Sequence, residues 1–379
     1  MNYSDNEVVS SIEVTSNSVE LKKYEQNFSI LLSVHTGKPR KSAIIEVMKD
    51  GTVSFYEEFV GKLAFNYDYS DKEGYFYALE KPSTNSCNSK NHDIRIIGFD
   101  KTLRKSINTV SLDHTNKHDF DILPNGNYVF NSYEPSRSSF GTEFNYKGGC
   151  IIESVVQEID PDKKLVFEWH SSHSMPVEPN FYVDKPKRGE YAHLNSTDLN
   201  YSKDEYLFSL RGKSQVVIVN RKNGETTHKI GGVNPDVSIL NDEYDGFCGQ
   251  HQVEWTSEDT FLLYDNGDNA FCVSGSKERE FSRAVEYKID RTQKTADLIW
   301  QYKSPYWHGT FAGGVTRMTN GLNVISWGNH VRNKLEAPTV TVVTPEGKVI
   351  WEMTVRFKGD DGMEVTPVSY RANVREMGN

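Results

Sequence analysis

The feature that most constrains this chain is a hairpin that recurs. Six times an alternating strand meets an acidic, Asn or Gly turn and returns as a second strand, often ending on an aromatic residue. The copies cover residues 42–59, 94–110, 155–169, 215–230, 284–300 and 339–351, with turns at Asp50, Asp100, Asp160, Asn223, Asp290 and Glu346. Successive anchors are 50, 60, 63, 67 and 56 residues apart. Such turn residues accept the tight backbone geometry that joins antiparallel strands, so they carry a mechanism as well as a pattern. A second kind of hairpin alternates with the first, over 62–80, 118–134, 193–211, 251–267 and 313–328. Two hairpins make a four-stranded unit. Four strands recurring roughly every 50–65 residues predict a β-propeller.

Six hairpins of one kind and five of the other leave half a unit missing. Residues 368–375 and 27–35 can supply it by pairing with each other. Closing the ring this way removes open sheet edges. No stretch longer than a turn or two has helical periodicity. The expected fold is all-β: a six-bladed β-propeller closed by pairing of N- and C-terminal strands. The expected division is an N-terminal extension over 1–40, including the closing strand, and a catalytic propeller over 41–379.

Three of the second-kind hairpins start alike, at His118-Asp119-Phe120, His193-Leu194-Asn195 and Gln250-His251-Gln252. In a blade of four strands, the start of the first, the end of the second, the start of the third and the end of the fourth open on one face. That face should carry His118, His193 and His251 nearest the axis. Tyr133, Arg211, Asp265-Asn266-Gly267-Asp268 and Trp327-Gly328-Asn329-His330 follow at the ends of second strands. Arg283 sits at a third-strand start, and His170, His173 and His308 at fourth-strand ends. Gly313-Gly314 leaves room in the matching place. Convergent titratable groups at one mouth of a ring are a site candidate. Packing explains His193 and His251 poorly, because their address repeats. For His118 a hydrogen-bonded His–Asp pair at a strand start is an equal explanation. His92, His114 and His228 read as loop residues that avoid the core, His35 as structural, and His170 and His173 as rim decoration. Tyr133, Trp307 and Phe311 can stack on a ligand ring or pack between blades.

Composition removes several classes. The net charge of -10 argues against a nucleic-acid partner, which needs a basic face. No apolar run approaches the roughly 18 residues of a membrane span, so no membrane partner is expected. The N-terminus lacks a basic start and an apolar stretch, which points to the cytoplasm, or to the periplasm or secretion if the sequence is a mature form. Four cysteines, Cys87, Cys150, Cys248 and Cys272, show no C-x-x-C spacing. Cys248 and Cys272 flank one hairpin, and a disulfide or two thiols fit equally. No G-x-x-x-x-G-K, G-x-S-x-G or H-E-x-x-H motif occurs. No cofactor and no resident metal are expected. Three histidines could hold zinc, but only Asp119 and Asp265 offer carboxylate support behind them. Two other classes stay open: a non-catalytic propeller that binds a partner or glycan, and a metal-dependent hydrolase or lyase.

Several motifs resemble the bacterial arylsulfate sulfotransferases, which do not use the nucleotide donor PAPS. They are His118-Asp119-Phe120 with Leu123-Pro124-Asn125-Gly126-Asn127, His193-Leu194-Asn195-Ser196, Gly249-Gln250-His251, Phe261-Leu262-Leu263-Tyr264-Asp265-Asn266-Gly267, the segment from Ser282-Arg283-Ala284 to Asp290, and Tyr370-Arg371-Ala372. They run in order over roughly residues 40–375. The resemblance implies a six-bladed propeller that transfers a sulfuryl group from an aryl sulfate donor to a phenolic acceptor. It implies a ping-pong route through a sulfohistidine at His330. His193 and His251 would bind the sulfuryl oxygens and handle the phenolic proton. Arg283, His118, Arg371 and Asn266 would bind substrate. One departure matters: the arginine that usually follows the Asp-Asn-Gly-Asp run is replaced by Asn269-Ala270. Arg283, Arg279 or Arg371 would then have to supply its charge. A second departure is that about 40 residues before the first blade are too few for the family's N-terminal β-sandwich.

Overall fold

A computed structural model describes residues 9–24, 26–36, 40–82, 91–135, 151–175, 189–273, 277–303, 309–329, 338–358 and 363–378. Six sheets follow one another around a ring, each built on four antiparallel strands; two also carry a short parallel strand, Gly189–Glu190 beside Ile151–Ile159 and Ser238–Leu240 beside Thr295–Lys303. Blade one is built from Val368–Met377 innermost, then Asn27–Thr36, Lys41–Met48 and Val53–Val60. Its register runs from Asn27 opposite Met377 to His35 opposite Val368. The predicted closure is therefore present.

Blade two comprises Ala64–Ser70, Gly74–Lys81, Asn91–Ile97 and Leu103–Ile107. Blade three comprises Phe120–Ile122, Tyr128–Pro135, Ile151–Ile159 and Leu165–His170. Blade four comprises Leu194–Asn200, Glu205–Leu210, Gln215–Asn220 and Thr226–Gly231. Blade five comprises His251–Trp255, Thr260–Asp265, Arg283–Asp290 and Thr295–Lys303. Blade six comprises Gly314–Arg317, Asn323–Ser326, Val340–Val343 and Val349–Lys358.

Four strands were not anticipated: Val9–Ser16, the longest, and the short Gly189–Glu190, Ser238–Leu240 and Glu364–Val365. Val9–Ser16 pairs antiparallel with Val349–Lys358 on the outer edge of blade six. The N-terminal segment thus clasps blade six from outside before it enters blade one. Between these blades lies an apolar seam. Phe28 meets Trp351 edge-on at 5.9 Å, and the Trp351 indole N–H donates to the Lys49 carbonyl at 2.9 Å. Val340 and Val342 join Ile30 and Leu32 in the same cluster. Each such side chain contributes about 1.5–3 kcal/mol when fully buried.

The inner strands need a different solution, because their axial edges expose backbone N–H groups. Side chains from the preceding blade take them. The Asp119 carboxylate accepts the Thr197 N–H at 2.5 Å, Asp198 accepts the Trp255 N–H at 2.6 Å, and Glu254 accepts the Arg317 N–H at 3.2 Å. Ser33 and Ser196 do the same for Asn66 and Val253. Polar residues on or beside the inner strands are thus the stitching between blades.

Two minor histidines lie in strands instead of loops, and a third is a loop residue that does not avoid the core. His92 lies within a strand and is fully buried, with its ring edge-on to Phe65 at 5.8 Å. His114 is buried as well, and His228 lies within Thr226–Gly231. The blade-two strand starts earlier than its turn signals suggest, so His92 enters the sheet. His35 packs on Phe65 at 5.1 Å within the closing strand, as expected of a structural residue.

Candidate active site

The histidine address repeats because the backbone repeats. His193 has φ of 48°, Gln252 has φ of 43°, and the ladder slips between Leu194 and Ser196 and between His251 and Val253. A bulge at the start of a strand re-aims the neighbouring side chain. Both inner strands therefore begin with an irregular turn that presents histidine at the mouth.

His118, His193 and Tyr133 form one aromatic group. The His118 and His193 rings are 4.8 Å apart and nearly perpendicular, and Tyr133 stacks on His118 at 5.1 Å. The Tyr133 hydroxyl donates to the Leu194 carbonyl at 2.7 Å. Tyr370, from the closing strand, approaches His118 at 5.7 Å and His251 at 6.5 Å. Residues from blades one, three, four and five thus converge, as the face argument predicts.

His251 is held in one tautomer. Asn266 donates its Nδ2 to the carbonyls of Gly309 (2.6 Å) and Ala312 (2.9 Å), so its Oδ1 must face His251. That oxygen lies 2.7 Å from His251 Nδ1, which therefore carries the proton. The lone pair is on Nε2, where the Ala312 N–H donates at 3.2 Å. Burial, then the charge of Arg211, pushes the His251 pKa well below the usual histidine range. His118 is lowered in the same way by burial and by His193. Both rings are neutral at pH 7.

His193 is placed differently. Its Nδ1 is 2.8 Å from Glu190 Oε2, and its side chain is the more exposed of the three. A carboxylate behind an imidazole orients the ring. Glu190 was missed from sequence, although it lies only three residues before His193.

The expected substrate-binding residues separate into two groups. His118 and Asn266 lie at the mouth, Asn266 by positioning His251. Arg283 corrects the expectation, because all five of its N–H donors are taken by protein. Nε bonds Asp265 (2.9 Å), Nη1 bonds Asp242 (3.0 Å) and Gln301 (3.1 Å), and Nη2 bonds Asp242 and the Gly246 carbonyl (both 2.8 Å). Its side chain is wholly buried behind the turn that starts at Asp265. Burial would raise the Asp265 carboxyl, but Arg279 and Arg283 hold it below its usual value. Asp265 in turn accepts the Cys248 and Gly267 N–H groups, which shapes the turn that presents Asn266. Arg371 reaches the mouth from the closing strand and pairs with Asp119 at 2.7 Å. It also donates to the Asn195 carbonyl at 3.0 Å.

The guanidinium that stands beside His251 is Arg211. Its Nη2 donates to Asp268 (3.1 Å) and to the Thr310 carbonyl (3.0 Å), and its plane lies 4.1 Å from the Phe271 ring centre. Burial lowers its pKa to about 10, against the pull of Asp268. A disulfide between Cys248 and Cys272 ties off the loop that carries Asn266, Asp268 and Phe271.

His330 lies outside the described residues, as do Trp307 and His308. The residue before it, Asn329, donates its N–H to the Phe311 carbonyl at 3.1 Å. Gly328 lies so close to Ala312 that an added Cβ would stand 2.6 Å from backbone. The last described residues of that loop are therefore anchored on the segment that also bonds His251. His170 and His173 stack at 5.0 Å on blade three, and hydrogen bonding of the His170 ring to the Glu153 carboxylate, opposed by burial, takes the His170 pKa to about 9. Among the described residues, no three of His, Cys, Asp and Glu are grouped as metal ligands.

Fold and mouth together define a six-bladed propeller enzyme whose axial funnel is lined, among the described residues, with neutral imidazoles and the guanidinium groups of Arg211 and Arg371. Residues 70–362 match the family described as Arylsulfotransferase (ASST). The chain belongs to that family, and is accordingly a PAPS-independent arylsulfate sulfotransferase acting on small aryl sulfates and phenols. No curated protein matches the chain. Among solved structures, a protein of unknown function from Bacteroides caccae is 12% identical with a TM-score of 0.54, covering 91% of this chain and 98% of its own. It shares the fold. The periplasmic gluconolactonase of Pseudomonas aeruginosa is 10% identical with a TM-score of 0.46, covering 93% of this chain and 99% of its own.

Proposed function

We propose that the transfer is a ping-pong reaction through a sulfated His330. An imidazole nitrogen of His330 attacks the sulfur of the aryl sulfate, an N–S bond forms, and the S–O bond to the aryl group breaks. The departing phenolate takes a proton from His193. A second phenol then enters, returns a proton to His193, and its oxygen attacks sulfur as the N–S bond breaks. Nucleophilic relay of this kind divides one difficult displacement into two easier ones.

The observation that carries this reading is the contrast between His193 and His251. A neutral, deeply buried His251 with its Nε2 lone pair fixed is poorly suited to donate a proton at pH 7. His193, backed by Glu190 and nearer solvent, is suited to carry one in both directions. His118 and His251 then serve as fixed dipoles around the sulfuryl oxygens, where preorganised groups supply most of a rate gain. The Cys248–Cys272 disulfide favours an oxidising compartment as the place of work.

The test is release of nitrophenol from 4-nitrophenyl sulfate with phenol as acceptor, in the wild type and in His330→Ala. The expected result is turnover in the wild type, parallel double-reciprocal lines, and a sulfated His330 peptide by mass spectrometry. Wild-type protein that releases no nitrophenol with any of several acceptor phenols would sink the mechanism. Glu190→Gln should lower kcat by roughly 10–100-fold and change the pH profile.

A further inference from the structure

We infer that Phe311 is the platform on which the aryl ring of donor and acceptor stacks, so that this side chain selects aromatic over aliphatic substrates. The inference rests on the sulfuryl-transfer reading above. It starts from the segment 309–314, which leads from blade five to blade six past the mouth. Every carbonyl from 309 to 312 is taken. Asn266 Nδ2 donates to Gly309 (2.6 Å) and Ala312 (2.9 Å), Arg211 Nη2 to Thr310 (3.0 Å), and the Asn329 N–H to Phe311 (3.1 Å). Three N–H groups of the segment are bonded as well. Gly309 donates to the Ser282 hydroxyl at 2.9 Å, Ala312 to His251 Nε2 at 3.2 Å, and Gly313 to the Tyr370 carbonyl at 2.8 Å.

Packing fixes the same backbone from both sides. A Cβ on Gly309 would collide with the Trp327 carbonyl, one on Gly313 would stand 2.7 Å from the Tyr264 ring, and one on Gly314 would overlap the Gln252 side chain. Ala312 and Gly313 hold φ of 60° and 90° in succession. Small residues are therefore required wherever the segment is buried. Position 311 is the exception. Its phenyl ring is 44% exposed, and among the described residues it makes no ring contact and joins no apolar cluster.

Tyr133 supplies the contrast. It is buried, stacked on His118 and bonded through its hydroxyl to the Leu194 carbonyl, so it is part of the wall. Phe311 stands between Thr310, whose carbonyl holds Arg211, and Ala312, whose N–H holds His251. An aryl ester with its sulfate among the imidazoles projects its ring outward, past the residue between those two anchors. Two rings attract in offset or edge-to-face arrangements, and a platform whose backbone is already immobile adds little ordering cost. In a ping-pong route the leaving phenol and the entering phenol use one ring site, so one side chain serves both halves of the reaction.

The test uses 4-nitrobenzenesulfonate, whose carbon–sulfur bond is not transferable, with methanesulfonate as the same anionic head without a ring. Calorimetric titration should show that Phe311→Ala weakens 4-nitrobenzenesulfonate binding about two- to tenfold, with methanesulfonate binding unchanged. Phe311→Leu should fall between, and Phe311→Trp should bind at least as tightly as the wild type. In Phe311→Ala, KM for 4-nitrophenyl sulfate and KM for phenol should rise by the same factor, with kcat moving less. The melting temperature should stay at the wild-type value, because an exposed ring holds nothing together; a fall of several degrees assigns Phe311 to packing and overturns the inference. Phe311→Ala that binds 4-nitrobenzenesulfonate like the wild type, or that weakens both sulfonates equally, overturns it as well. Phe311-dependent binding in a wild type that releases no nitrophenol ends the transfer reading and keeps the platform. Turnover with both KM values unaltered in Phe311→Ala does the reverse.

Discussion

The seam between blades six and one and the mouth of the funnel both join residues from opposite ends of the chain, by opposite physics. At the seam, Phe28 and Trp351 meet within an apolar cluster. At the mouth, Arg371 meets Asp119 across 252 residues through a directed ion pair. Apolar contact is non-directional, so the seam can hold the ring shut while tolerating small shifts. Hydrogen bonds weaken steeply with angle and distance, so the mouth holds its rings in place only while every partner is present. The ring is closed by area, and the site is placed by pairing.

The two largest expected effects set these regions against each other. Trp351→Ala should cost about 3–5 kcal/mol of unfolding free energy, read by denaturant titration, with activity per folded molecule intact. Loss of specific activity in the folded fraction would break the contrast. Arg371→Met should cost a similar amount, about 3–5 kcal/mol, because Asp119 is left buried without its cation. Adding Asp119→Asn should recover much of that loss, and a double-mutant cycle measures the coupling. No comparable coupling is expected between Phe28 and Trp351 beyond their shared packing.

The disulfide gives the next largest effect. Cys248 and Cys272 are separated by 24 residues, so replacing both with Ser should cost about 3 kcal/mol. The loop it ties carries Asn266 and Asp268, so activity should fall before the protein unfolds. Activity and melting temperature that decline in strict proportion would show that the loop has no separate role.

The smallest effect is in pH. His118 and His251 have folded pKa values below the unfolded value of about 6.5, so the unfolded chain binds more protons in acid. Their stabilisation is complete above pH 6.5 and declines as pH falls below it, by up to about 1.4 kcal/mol per pH unit for each ring. Asp68, Asp198 and Glu254, whose pKa values burial raises to about 8, 8 and 7, act in the opposite sense over the same range, so the effect is read as a difference. Between pH 7.5 and 5.5 the change in melting temperature on acidification should be more favourable in His118→Gln than in the wild type. A slope unchanged in that variant would remove His118 from the account.

Much of the architecture was legible from the chain. Asp-Gly and Asn-Gly turns between alternating strands marked the hairpins, and the missing half-unit pointed to pairing of 27–35 with 368–375. The strand Val9–Ser16 was not legible, since an outer strand added to a finished blade leaves no repeat signature. The convergence of His118, His193 and His251 followed from strand polarity alone. Roles within the mouth did not. Arg283 stands in a recognisable motif, yet Asp242 and Asp265 absorb it. Arg211 stands at a strand end without a motif, yet it reaches the mouth.

Local rules therefore account for the number of blades, the closing pair of strands and the face on which the polar residues gather. Turn chemistry and a period of two act between near neighbours in sequence, and a line of residues displays them in full. The tautomer of His251, the Glu190 partner of His193, the bonded state of Cys248 and Cys272 and the burial of Arg283 belong to the folded ring. Each depends on which charges and donors lie within a few ångströms after the blades have closed, and those neighbours are tens to hundreds of residues away along the chain.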